Sequence, residues 1–234
     1  MWDIDEKNGN NKSTEVLNFF PMATPHRELN PLEEAVRQKI KHWCEEFLAK
    51  PHPELGIPNR PVCPFVPAAL ERNSIWLAVS ALSSPSVEQM QSFLAQAKRH
   101  FLSLADCVNE QSIYNAVLVI FPNLPLAQAP QVIDGVQRRT KVDFVSDGLM
   151  VGEFHGLNNT PGLHNEDFKP LRTPHPALAI RYMVDSDLLF LTTSQYSPNE
   201  KVAFLTSYLN RGFERNRLRA EEALVIAEKD LQPS

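Results

Sequence analysis

The sequence predicts an α/β (or α+β) domain, built on a mixed four- to five-stranded sheet flanked by helices. Three observations predict it. Segments with helical apolar spacing alternate with short β-branched runs, the pattern that gives β–α–β units. A hydrophobic content of 43% over 234 residues is enough for a sizeable core. No internal repeat or low-complexity tract interrupts the alternation, so residues 29–234 read as one domain.

Residues 1–28 hold few apolar positions and read as a mobile tail, with Val16 to Phe20 the part that packs back. Asn30, Pro31 and Glu33 form a helix start, and Leu32, Val36, Ile40, Trp43 and Phe47 follow at helical spacing. Residues 51–70 carry six prolines, which exclude both a helix interior and a central strand. This segment should cross the domain as an ordered, extended piece with Cys63-Pro64-Phe65 in its middle. Ser74 to Ala81 is a short apolar strand. Ser84-Pro85 opens a helix whose inner face is Val87, Met90, Phe93, Leu94, Ala97, Phe101 and Leu104. Tyr114 to Phe121 is apolar throughout, hence a strand covered on both faces. A third helix runs from about Ala129 to Val145, and its Arg138, Arg139 and Lys141 read as a solvated face. Strands follow at Leu149 to Phe154 and Ala177 to Val184, a pair suited to antiparallel contact. Leu188 to Thr192 is a short strand or buried turn. Ser197-Pro198 with Glu200 starts a last, increasingly exposed helix.

Composition bounds the function. The net charge of −5 argues against nucleic-acid binding, which needs a basic face. No window of eighteen apolar residues offers a membrane span. The acidic, polar start MWDIDEKNGNNKSTE is unlike a signal peptide, so a cytoplasmic location is expected. Three cysteines without a CxxC pair indicate neither a disulfide framework nor a sulfur-rich zinc site. The expected partner is a small-molecule substrate, with association into a homo-oligomer left open.

The stretch from Gly148 to Arg181 concentrates the chemistry. About twenty residues between two strands show no apolar periodicity, and a loop that long is commonly a site. It holds His155, His164, His175, Asn165, Lys169 and Arg172. Dinucleotide, P-loop, zincin and nucleophile-elbow motifs are all absent. His155 ends a strand beside Gly156, which leaves space for a ligand to approach the ring. One neutral imidazole suffices as the axial ligand of a haem. Lys169, Arg172 and Arg181 would supply cations for its propionates. Phe154, Phe168, Trp43 and the proline-rich segment around Cys63 would line the slot, with His164 and Asn165 facing the substrate. Arg181 lies in mid-strand, so it must reach solvent or a partner anion. Two other readings stand beside this one. His155 and His164 with Glu153, Glu166 or Asp167 make a candidate mononuclear metal site for a hydrolase. Alternatively, the loop's basic residues hold an anionic ligand without catalysis. For each histidine a structural hydrogen-bonding role competes, and for Cys63 an inert thiol does.

The elements PHPELG…PVCPFVPAAL and GEFH…GLHNEDFKPLR…LAIRYMV resemble a bacterial domain family of unknown function, over about Trp43 to Val184. More distantly, their order is similar to that of haem-dependent N-oxygenases. That resemblance implies a haem iron that activates dioxygen or peroxide and oxidises a small nitrogen-containing substrate. Here Gly156 stands where those proteins carry proline, the order is His164-Asn165, and Cys63 precedes its proline.

Overall fold

The computed structural model describes residues 15–104 and 112–231. Cys107 lies outside the described residues. The chain forms one mixed sheet between helical layers, in the order β1-β2-β3-β5-β4. β1 (Phe20–Pro21) pairs antiparallel with β2 (Ile75–Val79). Leu17, Phe20 and Met22 are buried, so part of the stretch read as a tail belongs to the core. α1 (Pro31–Trp43) starts on the expected capping box, with Asn30 accepting from the Glu33 N–H and Glu33 returning the bond. A π-helical turn, Cys44–Leu48, extends it. The proline-rich crossing then leads to α2 (Val66–Glu71) and β2.

α3 (Val87–Ser103) carries β2 over to β3 (Ala116–Ile120), its parallel neighbour. Its cap is Ser86 with Gln89, two residues past the expected start. α4 (Gly135–Ser146), entered through a π-helical turn at Pro130–Asp134, carries β3 on to β4 (Leu149–Phe154). β5 (Ala177–Tyr182) inserts between β3 and β4 and is antiparallel to both. That insertion makes β4 an edge strand. Residues 188–192 form no strand: α5 (Leu188–Leu191) is a single helical turn that buries Leu188 and Leu191. The expected last helix is two, α6 (Pro198–Leu209) and α7 (Arg217–Lys229). Between them Gly212 takes a left-handed φ of 71°, which a continuing helix does not allow.

The core has three parts. One sheet face packs Leu149, Val151, Leu178 and Ile180 against α3 and α4. The other packs Leu77, Ile120 and Ala177 against α1 and α2. The third lies past the β4 edge, where Met150 and Val145 meet Leu188, Phe204 and Tyr208. Among the described residues no helix is long and apolar enough to cross a membrane.

Candidate active site at the edge strand

β4 ends in Gly152-Glu153-Phe154, and side chains alternate across a strand. Phe154 turns to the α1 face, where its ring meets Trp43 edge-on at 5.7 Å. Glu153 shares parity with Leu149 and Val151 and so faces the α4 side.

α4 lays a polar face along this edge. Asp134, Gln137 and Lys141 follow at spacings of three and four, which places them on one side of a helix. The Gln137 side-chain amide donates to the Val151 carbonyl at 3.1 Å, satisfying a group that an edge strand leaves unpaired. Asp134 Oδ1 lies 2.9 Å from His155 Nε2. Lys141 Nζ donates to the Phe190 carbonyl at 3.1 Å and to the Tyr196 hydroxyl at 2.5 Å. It also sits 4.3 Å and 5.4 Å from the Tyr196 and Phe204 ring centroids.

This arrangement buries charge without pairing it. Lys141 is 4% exposed, yet among the described residues no carboxylate lies within ion-pair distance of its ammonium. Burial pulls its pKa down to about 8, against the opposing fields of Glu153, Asp187 and Glu200. Burial likewise pushes the Glu153 carboxyl up to about 7, and the charge of Asp134 adds to the rise. Its own backbone N–H and Lys141 pull the other way. Burial pushes the Tyr196 hydroxyl up to about 12. A carboxyl and an ammonium displaced toward each other, close to neutral pH, are the arrangement that acid–base chemistry uses.

The structure changes the expected role of His155. Its side chain is 1% exposed and its Nε2 is taken by Asp134. Its Nδ1 is enclosed, with no partner among the described residues. The space beside Gly156 is filled by Leu126, whose Cδ1 would lie 3.2 Å from a Cβ at that position. The ring is therefore closed to an iron atom as arranged. The cations proposed for haem propionates are also engaged. Arg181 forms a two-pronged pair with Asp187 at 2.6 and 2.7 Å, the partner anion that its mid-strand position demands. Arg172 donates to the Asn158 carbonyl and the Asn159 side chain, and Lys169 donates to the Glu166 carbonyl. These residues do not fit a haem held through His155.

The long loop is fastened down. Asn158 is buried and donates to the Glu153 carbonyl, while its side-chain oxygen accepts from the Thr160 N–H. Phe168 is buried against Phe47 and the His52 ring, and Trp43 Nε1 donates to the Arg172 carbonyl at 3.0 Å. Asn165 spends its amide on the Glu54 carbonyl, which docks the loop on the proline-rich crossing. His164 is exposed there, and its backbone lies against Gly56. His164 and Asn165 are thus on a docking seam rather than beside His155. No group of three His, Cys, Asp or Glu able to hold a metal occurs among the described residues, so the hydrolase ligand set is not assembled.

Cys63 and Arg181 fall on the α1 face with Phe154. Cys63 is half-buried, and its neighbour Phe65 has its ring 5.9 Å from the Arg181 guanidinium. Among the predicted residues, these three share one sheet face. The reading of the sequence missed Asp134, Tyr196 and the burial of Lys141. The available signal was the Asp134, Gln137, Lys141 spacing, set beside the apolar stripe Ile133, Val136, Thr140 and Phe144.

A family model described as a domain of unknown function, DUF6875, matches residues 37–222, and the chain belongs to that family. No curated protein and no solved structure matches it.

Proposed function

We propose that this member of the DUF6875 family is a small-molecule enzyme whose reactive centre is Glu153, with Asp134, His155, Lys141 and Tyr196 around it. The observation that carries the reading is Glu153 itself. It is a half-buried carboxyl with no side-chain hydrogen-bond partner among the described residues, next to a buried ammonium that lacks an ion pair. The polar network that closes the sheet edge needs neither charge.

The carboxylate exposed at the rim of the cluster is Asp134. The Asp134 side chain is 45% exposed and uses one oxygen on His155. A small basic nitrogen compound, an amine or guanidine, therefore suits the site. Glu153 takes its proton or returns it, and His155 fixes Asp134 at the rim. Lys141, held by Tyr196 and the Phe190 carbonyl, stabilises the ionised form of Glu153. A cation that binds here favours ionised Glu153, so binding at pH 6.5 should release a proton. Calorimetry with methylguanidinium and benzylamine, in buffers of different ionisation enthalpy, measures that release. Proton release that disappears in Glu153→Gln supports the reading. Binding of neither cation, or a proton count unchanged in Glu153→Gln, overturns it.

The haem-dependent oxygenase is a narrower second reading, favoured by one observation. Cys63 offers a half-buried thiol on the aromatic face that also holds Phe154 and Arg181. In that reading Cys63, in place of His155, would hold the iron, and a bound haem would supply oxidation of the nitrogen compound by dioxygen or peroxide.

A further inference from the structure

At the other end of the sheet, four strands from Glu153, a groove of about 460 Å³ opens along the outer edge of β1 and β2. Its volume falls within the range of small-ligand pockets. Phe19 and Trp76 form apolar walls, and His26, Arg27 and His100 supply the polar lining. Among the described residues no acidic side chain lines it, although Glu33 pairs with Arg27 behind the wall. The imidazole of His100 stacks on Phe19 at 4.3 Å, with the planes 10° apart, and meets Trp76 edge-on at 4.8 Å. His26 lies 6.0 Å from Trp76 on the open side. The His100 ring thus fills the space between Phe19 and Trp76, and the aromatic surface left to a flat ligand is Trp76 beside the exposed His26.

The polar groups have unspent capacity. His100 Nε2 is buried with no partner among the described residues, an unusual state for a ring nitrogen. Burial, with the neighbouring His26, lowers the His100 pKa from its ordinary value. Arg27 gives its two terminal nitrogens to Glu33 and the Glu28 carbonyl, which leaves its Nε–H without a partner among the described residues.

We infer that this groove is a second binding site, for a small planar aromatic anion such as an aromatic carboxylate. The ring lies against Trp76, and the carboxylate faces the Arg27 Nε–H and His26. The site is independent of the Glu153 centre, since no residue is shared.

Three probes of one shape and different charge test it on the full chain: 2-naphthoate, 2-naphthamide and 2-naphthylmethylamine. Calorimetry should show the carboxylate binding about tenfold tighter than the amide, the size of one charge-assisted hydrogen bond, and the amine weakest. Trp76→Phe narrows the wall and His26→Ala removes a donor, and each should weaken 2-naphthoate about threefold or more. His26 is exposed, so its variant keeps the test valid if Trp76→Phe is unstable. Glu153→Gln should leave 2-naphthoate binding unchanged, which separates this proposal from the acid–base one. Equal affinity for the three probes, or full affinity in both groove variants, overturns the inference.

Discussion

Replacing Glu153 with glutamine should stabilise the fold at pH 8 and do little at pH 4.5. The carboxyl titrates at about 7 in the folded chain against an ordinary value of 4.5. The folded state therefore holds more protons than the unfolded state between those two values. Stability linked to this group is fully present below pH 4.5 and is lost as pH rises to 7. At about 1.4 kcal/mol per unit the loss has a ceiling of roughly 3 kcal/mol, and solvent contact reduces it to about 2 kcal/mol. Glutamine keeps the shape and never ionises, so it escapes the loss. For a chain of this size, that difference raises Tm by roughly 4–8 °C. Paired urea titrations of wild type and Glu153→Gln at pH 4.5, 6 and 8 measure it. A gain that grows with pH identifies a carboxylate whose ionisation costs stability, the kind of strain that active sites retain. A variant less stable than wild type at pH 8 would refute the reasoning, because the charge would then be a structural partner.

Three further outcomes are expected. Lys141 has the opposite linkage: its folded pKa of about 8 lies below the ordinary 10.5, so wild-type stability should climb between those values. In Lys141→Met that climb should vanish, as pH-dependent thermal melts would show. Arg181→Met leaves the Asp187 carboxylate, 1% exposed, with the Val184 N–H as its one donor among the described residues. Denaturation should show a loss of about 2–3 kcal/mol, below the usual range for a broken buried pair because Arg181 is 30% exposed. A loss under about 1 kcal/mol would mean the pair acts as a surface one. Titration with hemin decides the oxygenase reading: a Soret shift abolished by Cys63→Ser supports thiolate ligation. One abolished only by His155→Ala would restore the histidine, and no shift at all would remove haem.

Much of the fold was legible because its elements are local. The Asn30 and Ser197 capping boxes, the α3 stripe and the run of β3 each declare themselves within a dozen residues. The antiparallel β4–β5 pair was legible too, since a loop returns the chain directly. Other features depend on distant residues. Phe20–Pro21 is a strand because β2 offers it an edge, which a two-residue segment cannot announce. Arg181 plainly needed an anion, but Asp187 reaches it only through the turn at Val184. The loop at 155–176 looked reactive because its side chains are polar. Part of that polarity answers backbone carbonyls, as Asn158 does at the end of β4 and Asn165 on the proline-rich crossing.

The polar face of α4 has a structural explanation, and it accounts for only part of what is there. An edge strand needs donors for its outward carbonyls, and Gln137 provides one for Val151. A face chosen only for that purpose would place neutral amides or apolar side chains at the other positions. Burying an ammonium and a carboxyl that do not pair costs stability instead. Lys141 spends its donors on a carbonyl and a phenol, both of which a neutral group could satisfy. Glu153 accepts from its own backbone N–H and from no other side chain, so its charge answers no partner side chain in the described network. The two groups share one property that amides lack, an exchangeable proton near neutral pH. Their placement makes sense where the exposed Asp134 carboxylate at the rim of the cluster brings them a cation to exchange it with.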